Sequence, residues 1–162
     1  MSRAGYNDDC EQWALICWRG AVNSAIRGAR GQAFLNDLIA ALDALPEKKL
    51  IAEELENEGT VCAIGAVGRA RGLDMSELDP QEPERVASTF GIASAMAREI
   101  TYVNDECGRR NETPEERFAR MRKWAVDEIW NARGCVADPY GKHALRMSRR
   151  LHYRAAIDWN EV

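Results

Sequence analysis

The sequence predicts an all-α fold: a compact multi-helix domain of about seven helices with the N-terminal helix at its centre. Three observations predict it. Alanine, the strongest helix former, occurs 24 times, whereas Val, Ile and Thr, which strands prefer, total 21. Apolar residues recur at helical spacing through several stretches. Glycines and prolines fall between those stretches, where helices stop and start. At 162 residues the chain is one ordinary domain with room for a core, and its 46% apolar and 30% charged residues are a soluble globular composition. No apolar run is long enough to span a bilayer. Met1-Ser2-Arg3-Ala4-Gly5 leads into acids and not into an apolar signal core.

Asp8 and Asp9 suit the cap of a first helix running to about Arg27. It carries two apolar stripes, Leu15/Trp18/Val22/Ile26 and Trp13/Ile16/Cys17/Gly20. A helix apolar on two sides packs between neighbours, which is why it is expected at the centre. Gly28 ends it. The second helix, from about Gly31 to Leu45, carries Phe34, Leu35, Leu38, Ile39 and Leu42 in a close 3,4 pattern. After Pro46 an acidic stretch, Glu47 to Glu58, reads as helical, with Gly59 ending it and Thr60 capping the next element.

The segment Val61 to Arg71 holds Gly65 and Gly68, with Gly72 just beyond, all on one helical face. Each costs roughly 1 kcal/mol against alanine, which makes sense only where a neighbour presses close. The absence of a following Gly-Lys-Ser/Thr argues against a phosphate loop. An acidic loop runs from Leu73 to Pro83. Pro83 opens a helix through Phe90, Gly91 breaks it, and Ile92 to Asn104 forms the next. Asp105 to Glu112 reads as a polar loop. Thr113-Pro114-Glu115-Glu116 is a full start signal, with Thr113 and Glu116 as a capping box and Pro114 at the first position. Phe118, Met121, Ala125 and Ile129 form the buried stripe of that helix, which Gly134 ends. A last helix is expected over Lys142 to Ile157. Residues 1–133 thus form a helical body, and 134–162 a basic C-terminal helical segment packed on it or extending from it.

The net charge is −4, which excludes a uniformly basic nucleic-acid binder. It is unevenly spread. Lys142, Arg146, Arg149, Arg150 and Arg154 sit in a stretch without acids, so −4 less +5 leaves −9 on the rest of the chain. Arg outnumbers Lys 18 to 4, and Arg is the residue of forked carboxylate and phosphate recognition. The five cysteines, Cys10, Cys17, Cys62, Cys107 and Cys135, form no CxxC and lie apart from His143 and His152. That spacing argues against a zinc site or a disulfide framework, and free thiols suit a reducing cytosol. Most of the cysteines read as buried small hydrophobes, and Trp13, Trp18 and Trp124 as buried or bordering residues.

Several phrases occur together: Ala4-Gly5-Tyr6 with Asp8-Asp9, Trp18-Arg19-Gly20, Ile26-Arg27-Gly28-Ala29-Arg30-Gly31-Gln32-Ala33-Phe34-Leu35, Val61-Cys62-Ala63-Ile64-Gly65, Gly72-Leu73-Asp74-Met75-Ser76, Ala97-Arg98-Glu99-Ile100, Asn104-Asp105 and Asn111-Glu112-Thr113-Pro114. In these the chain resembles a group of small accessory proteins of tailed-phage and prophage genomes, mostly of unassigned function. The likeness covers roughly Met1 to Trp130. It implies an accessory protein in the cytoplasm of an infected host bacterium, and it carries over no catalytic residue.

Three constellations are candidates for function. Arg27 and Arg30 flank the start of the second helix, where amides and the helix dipole favour an anion; the alternative is a tight solvated turn. Arg85 to Ile100 has the small residue, turn glycine and apolar positions of a helix-turn-helix, but its second helix offers Glu99 beside Ser94 and Arg98, and a plain helical corner is favoured. Lys142, Arg146, Arg149, Arg150, Tyr153 and Arg154 make a basic stripe with one aromatic, suited to an acidic surface, to nucleic acid, or to the chain's own acids. Paired acids at Asp8/Asp9, Asp105/Glu106 and Glu115/Glu116 stand where capping explains them. The expectation is therefore a non-enzymatic protein without cofactor or metal. What the phage-like resemblance implies for its partner is a host protein complex, concretely with the chain as an anti-CRISPR-like inhibitor of host antiviral defence. The alternatives are a small DNA- or RNA-binding regulator and, third, a metal-dependent enzyme with a carboxylate site.

Overall fold

A computed structural model describes residues 12–134. The chain divides into two compact units, Met1–Ile129 and Trp130–Val162, and the first holds the core described below. Its elements in order are α1 (Gln12–Arg27), α2 (Ala29–Ala44), a two-stranded hairpin of β1 (Glu56–Asn57) and β2 (Thr60–Val61), α3 (Ala63–Ala70), α4 (Pro83–Phe90), α5 (Ser94–Thr101) continued by a π-helical turn (Tyr102–Glu106), and α6 (Pro114–Gly134). The fold is mostly helical, as composition predicts. The expected helix over Lys142 to Ile157 and the Asp8/Asp9 cap lie outside the described residues.

The deepest burial follows the stripe predicted for α2: Phe34, Leu35, Leu38 and Leu42 are all inaccessible. Leu50, Val61, Val67, Met96, Ile100 and Met121 close around it, and the rings of Phe34 and Phe90 meet edge to face at 6.3 Å. The stripe of α6, Phe118, Met121, Ala125 and Ile129, is buried throughout. Its start is built as predicted: the Thr113 N–H donates to Glu116 Oε2 at 2.9 Å, and the Glu116 N–H donates to Thr113 Oγ1 at 3.2 Å. The first helix departs from expectation. It packs on α2 and α5 through buried Val22 and Ile26 with half-buried Trp18 and Ala25 beside them, while Trp13, Leu15, Ile16 and Cys17 in its first turns are exposed.

The acidic stretch Glu47 to Glu58 is not helical. Glu53 and Glu58 have φ of 69° and 47°, and Glu58-Gly59, both left-handed, turn β1 into β2 with Glu56 opposite Val61 and Asn57 opposite Thr60. The stretch is held by long-range backbone bonds: Leu50 N–H to the Pro114 carbonyl, Ile51 N–H to Val61, and Cys62 N–H to Leu55. Three apolar residues, Leu50, Ile51 and Leu55, are too few for a helical stripe, and the core takes them from an extended chain. Thr60 consequently belongs to β2, and Cys62 caps α3, its Sγ accepting the Gly65 N–H at 3.3 Å.

The glycine face of α3 has the close neighbours its cost implied. A Cβ on Gly65 would stand 1.9 Å from the Leu55 carbonyl oxygen, and one on Gly68 2.3 Å from Met75 Sδ. Gly72 is not on that face. It follows the helix end with φ 66°, and the Gly72 and Leu73 amides return to the Arg69 and Gly68 carbonyls. Gly91, φ 70°, ends α4 in the same way, through its own amide and that of Ile92. Ile92 therefore precedes α5 and does not open it, and Asp105 and Glu106 belong to the π turn.

Gly65→Ala is expected to lower stability by about 3 kcal/mol, the upper range for overpacking, because the obstacle is a backbone carbonyl held in the hairpin; urea unfolding checks it. A second expectation concerns pH. Asp43 on α2 takes two bonds from Arg122 on α6, at 2.6 and 2.9 Å. The Arg122 hydrogen bonds, and then its charge, hold the Asp43 carboxyl below its ordinary 3.8. Its contribution is present above that value and is lost as pH falls through the lowered one. Asp43→Asn should therefore flatten the acid limb of Tm against pH while leaving its neutral shape unchanged.

Candidate partner-binding elbow

The junction of α1 and α2 is a sharp elbow. Gly28 is its only non-helical residue; its N–H donates to the Ser24 carbonyl at 3.0 Å, and its carbonyl accepts from the Gln32 N–H at 2.9 Å. Gly31 makes the bend possible: a Cβ there would lie 2.1 Å from the Ala25 carbonyl oxygen. The Gln32 side-chain amide donates to the Ile26 carbonyl at 2.8 Å, closing the end of α1. Arg27, Gly28, Ala29 and Arg30 are all exposed, and the first turn of α2 contains no acid. Because α1's last carbonyls press on the first turn of α2, the negative end of one helix dipole faces the positive end of the other. The two arginine side chains stand exposed on either side of this junction.

Several other arginines are paired within the fold. Arg69 pairs with Glu56 at 2.9 Å, Arg71 with Asp37 at 2.6 Å, Arg85 with Glu82 at 2.9 Å and Arg98 with Glu84 at 2.6 Å. Arg71 also bonds the Phe90 carbonyl and lies over the Phe34 ring, and Arg98 lies over the Trp18 ring. The most enclosed ionic group is one that sequence reasoning missed. Glu112 receives Arg120 at 2.6 and 2.5 Å, and Arg117 stands 3.6 Å away. Arg120 also donates to the Val103 and Asn104 carbonyls, and Arg117 to the Leu50 carbonyl. This knot closes the end of the π turn and fastens two loops to α6. The spacing of Arg117 and Arg120 by three on one helix was the available signal.

No protein family, characterised protein or solved structure matches the chain.

The helix-turn-helix look-alike is a packed corner: α5 lies against α1, α3 and α4, and Glu99 is buried beside Arg19 at 3.8 Å. Among the described residues no three His, Cys, Asp or Glu side chains converge on a common point, and no helix is long and apolar enough to cross a membrane. Asp105 accepts from the Asn104 amide at 2.6 Å, and Glu116 closes the capping box. Cys62 is buried as expected, whereas Cys17 and Cys107 are exposed; Cys10 and Cys135 lie outside the described residues. Trp13 is exposed and Trp18 and Trp124 are half-buried. Of the predicted site residues, Arg27 and Arg30 come together at the elbow. Lys142, Arg146, Arg149, Arg150, Tyr153 and Arg154 lie outside the described residues.

Glu112→Ala should cost about 3 kcal/mol, because it strands two largely enclosed guanidinium groups. Thermal unfolding checks this, and Glu115→Ala, an exposed acid in the first turn of α6, should stay within about 0.5 kcal/mol of wild type.

Proposed function

We propose that the chain is a non-enzymatic accessory protein that binds a host macromolecule, and that the α1–α2 elbow is its contact for an acidic protein surface. The observation that carries this reading is the exposure of Arg27 and Arg30 on either side of the small Gly28-Ala29 step. Small residues between two planar forks let a partner's backbone approach while carboxylates are gripped from both sides. The phage-like phrases of the sequence supply the class of partner, a protein of the infected bacterium. Blocking an antiviral defence complex, as anti-CRISPR proteins do, is its concrete form. The basic stripe from Lys142 to Arg154 adds the same chemistry in the sequence.

The test is capture from nuclease-treated lysate of the bacterial host by the tagged full chain. A protein partner that survives nuclease and falls at least tenfold with Arg27→Glu/Arg30→Glu is the expected result. Undiminished capture by that double variant overturns the elbow, and loss of all bound material on nuclease treatment turns the reading to a nucleic-acid binder.

A further inference from the structure

Of the two apolar stripes that the sequence places on α1, one is turned out of the fold. Trp13 is 71% exposed and Ile16 54%, and Cys17 and Gly20 are exposed beside them. At 100° per residue this outer face continues through Asn23 and Ser24 to Arg27, all within about 60° of Gly20. The face is graded along its length. It is large and apolar at Trp13 and Ile16, small or neutral from Gly20 to Ser24, and cationic at Arg27, with Arg30 exposed just past the elbow. Three features of it select a partner.

The first is charge. From Gln12 to Asn36 the chain has no Asp or Glu, although it holds 26 acids in 162 residues, and the charges there are Arg19, Arg27 and Arg30. Arg19 stands beside Glu99, so the cations at the end of the outer face are Arg27 and Arg30. The complement of such a face is apolar at one end and acidic at the other. The second is backbone chemistry. A helix has already used its N–H and C=O groups on itself. An extended peptide laid along α1 would leave the amides it turns to Trp13, Ile16 and Gly20 unmatched, whereas a helix arrives with its amides paired. The third is Gly20. It stands near the middle of Gln12–Arg27, and a Cβ on it would meet nothing within 4 Å. Packing inside the chain asks for no glycine there, although a mid-helix glycine is less stable than alanine. Gly20, with Ser24 one turn on, lets a second helix cross close against α1.

The dipoles set the direction. Arg27 lies at the C-terminal end of α1, and an antiparallel neighbour puts its N-terminus there, so that opposite dipole ends meet. The N-terminus is also where Asp and Glu stabilise the helix that carries them. One orientation thus puts acids on Arg27 and Arg30 and leaves the later turns of the neighbour for Ile16 and Trp13.

We infer that the outer face of α1 and the elbow together receive one amphipathic helix of the partner protein, antiparallel to α1. Its first turn brings Asp or Glu to Arg27 and Arg30, and apolar side chains about 11 to 14 residues later cover Ile16 and Trp13. The contact runs about 21 Å along α1. This rests on the elbow reading and names what the elbow holds.

Photo-cross-linking in nuclease-treated lysate of the bacterial host tests it, with the full chain carrying Ala21→p-benzoylphenylalanine at the edge of the face. The expected product joins position 21 to one segment of the captured protein. That segment has Asp or Glu about 11 to 14 residues ahead of apolar residues at helical spacing, and its synthetic copy gains helical circular dichroism on binding the chain. Gly20→Leu and Ile16→Glu should each weaken binding of the synthetic segment by about tenfold or more. Gly20→Leu should do so with a Tm equal to or above wild type, since its side chain has open space in the single chain. Capture that depends on Arg27 and Arg30 but yields no cross-link at position 21, a segment without those acids, or binding indifferent to Gly20→Leu overturns the helix and leaves the elbow standing. Capture indifferent to Arg27→Glu/Arg30→Glu overturns both.

Discussion

The carboxamide of Asn104 is the constraint on which the rest of the fold hangs. It is 2% exposed, and every polar atom of it is used. Its Oδ1 accepts the first amide of α3 from Ala63 at 3.2 Å, and its Nδ2 donates to the Ile51 carbonyl and to Asp105. A buried amide side chain is tolerated only when satisfied in this way, because an orphaned donor or acceptor keeps its full desolvation cost. One side chain thus fixes three segments: the extended chain before the hairpin, the start of α3 and the end of α5. The π turn follows from it. Widening the helix at Tyr102–Glu106 is what brings Asn104 inward, and the loosened Val103 and Asn104 carbonyls are taken up by Arg120.

Local signals were legible wherever a few adjacent residues carry the whole physical reason. Thr113-Pro114-Glu115-Glu116 is a complete cap in four residues, and the stripes of α2 and α6 are self-sufficient patterns. Gly65 and Gly68 announced close neighbours without naming them. The hairpin was illegible because its partners are remote. Leu50 is held by Pro114 and Ile51 by Val61, and the acidic side chains around them favour a solvated helix as much as a strand. The same holds for the π turn, since nothing within Tyr102–Glu106 says that Asn104 has acceptors and donors waiting at Ile51 and Ala63. At the elbow, sequence placed Arg27 and Arg30 correctly beside a helix start. It gave the bend to Gly28, whereas the contact that only glycine allows is at Gly31.

The two stripes of α1 show a more general ambiguity. Periodicity reports that a face is apolar; it does not report what covers it. Both stripes read as core, which put the helix at the centre, and the fold covers only one. The arginine excess has a similar double meaning. Composition suggested a binding protein, yet Arg69, Arg71, Arg98, Arg117 and Arg120 do architectural work, satisfying carbonyls, carboxylates and aromatic faces between elements. Lys48 plays a similar part at the end of α2, donating to the Leu42, Asp43 and Leu45 carbonyls and lying over the Phe118 ring.

The helix cap at Cys62 has a practical consequence. Its thiol is at once a buried group and the acceptor for the first turn of α3, so labelling it competes with that cap. Cys17 and Cys107 stand at the surface. The molecule therefore carries its own clock: the lag between labelling of the surface thiols and labelling of Cys62 reads the free energy of opening at the junction that Asn104 closes, with no foreign probe introduced.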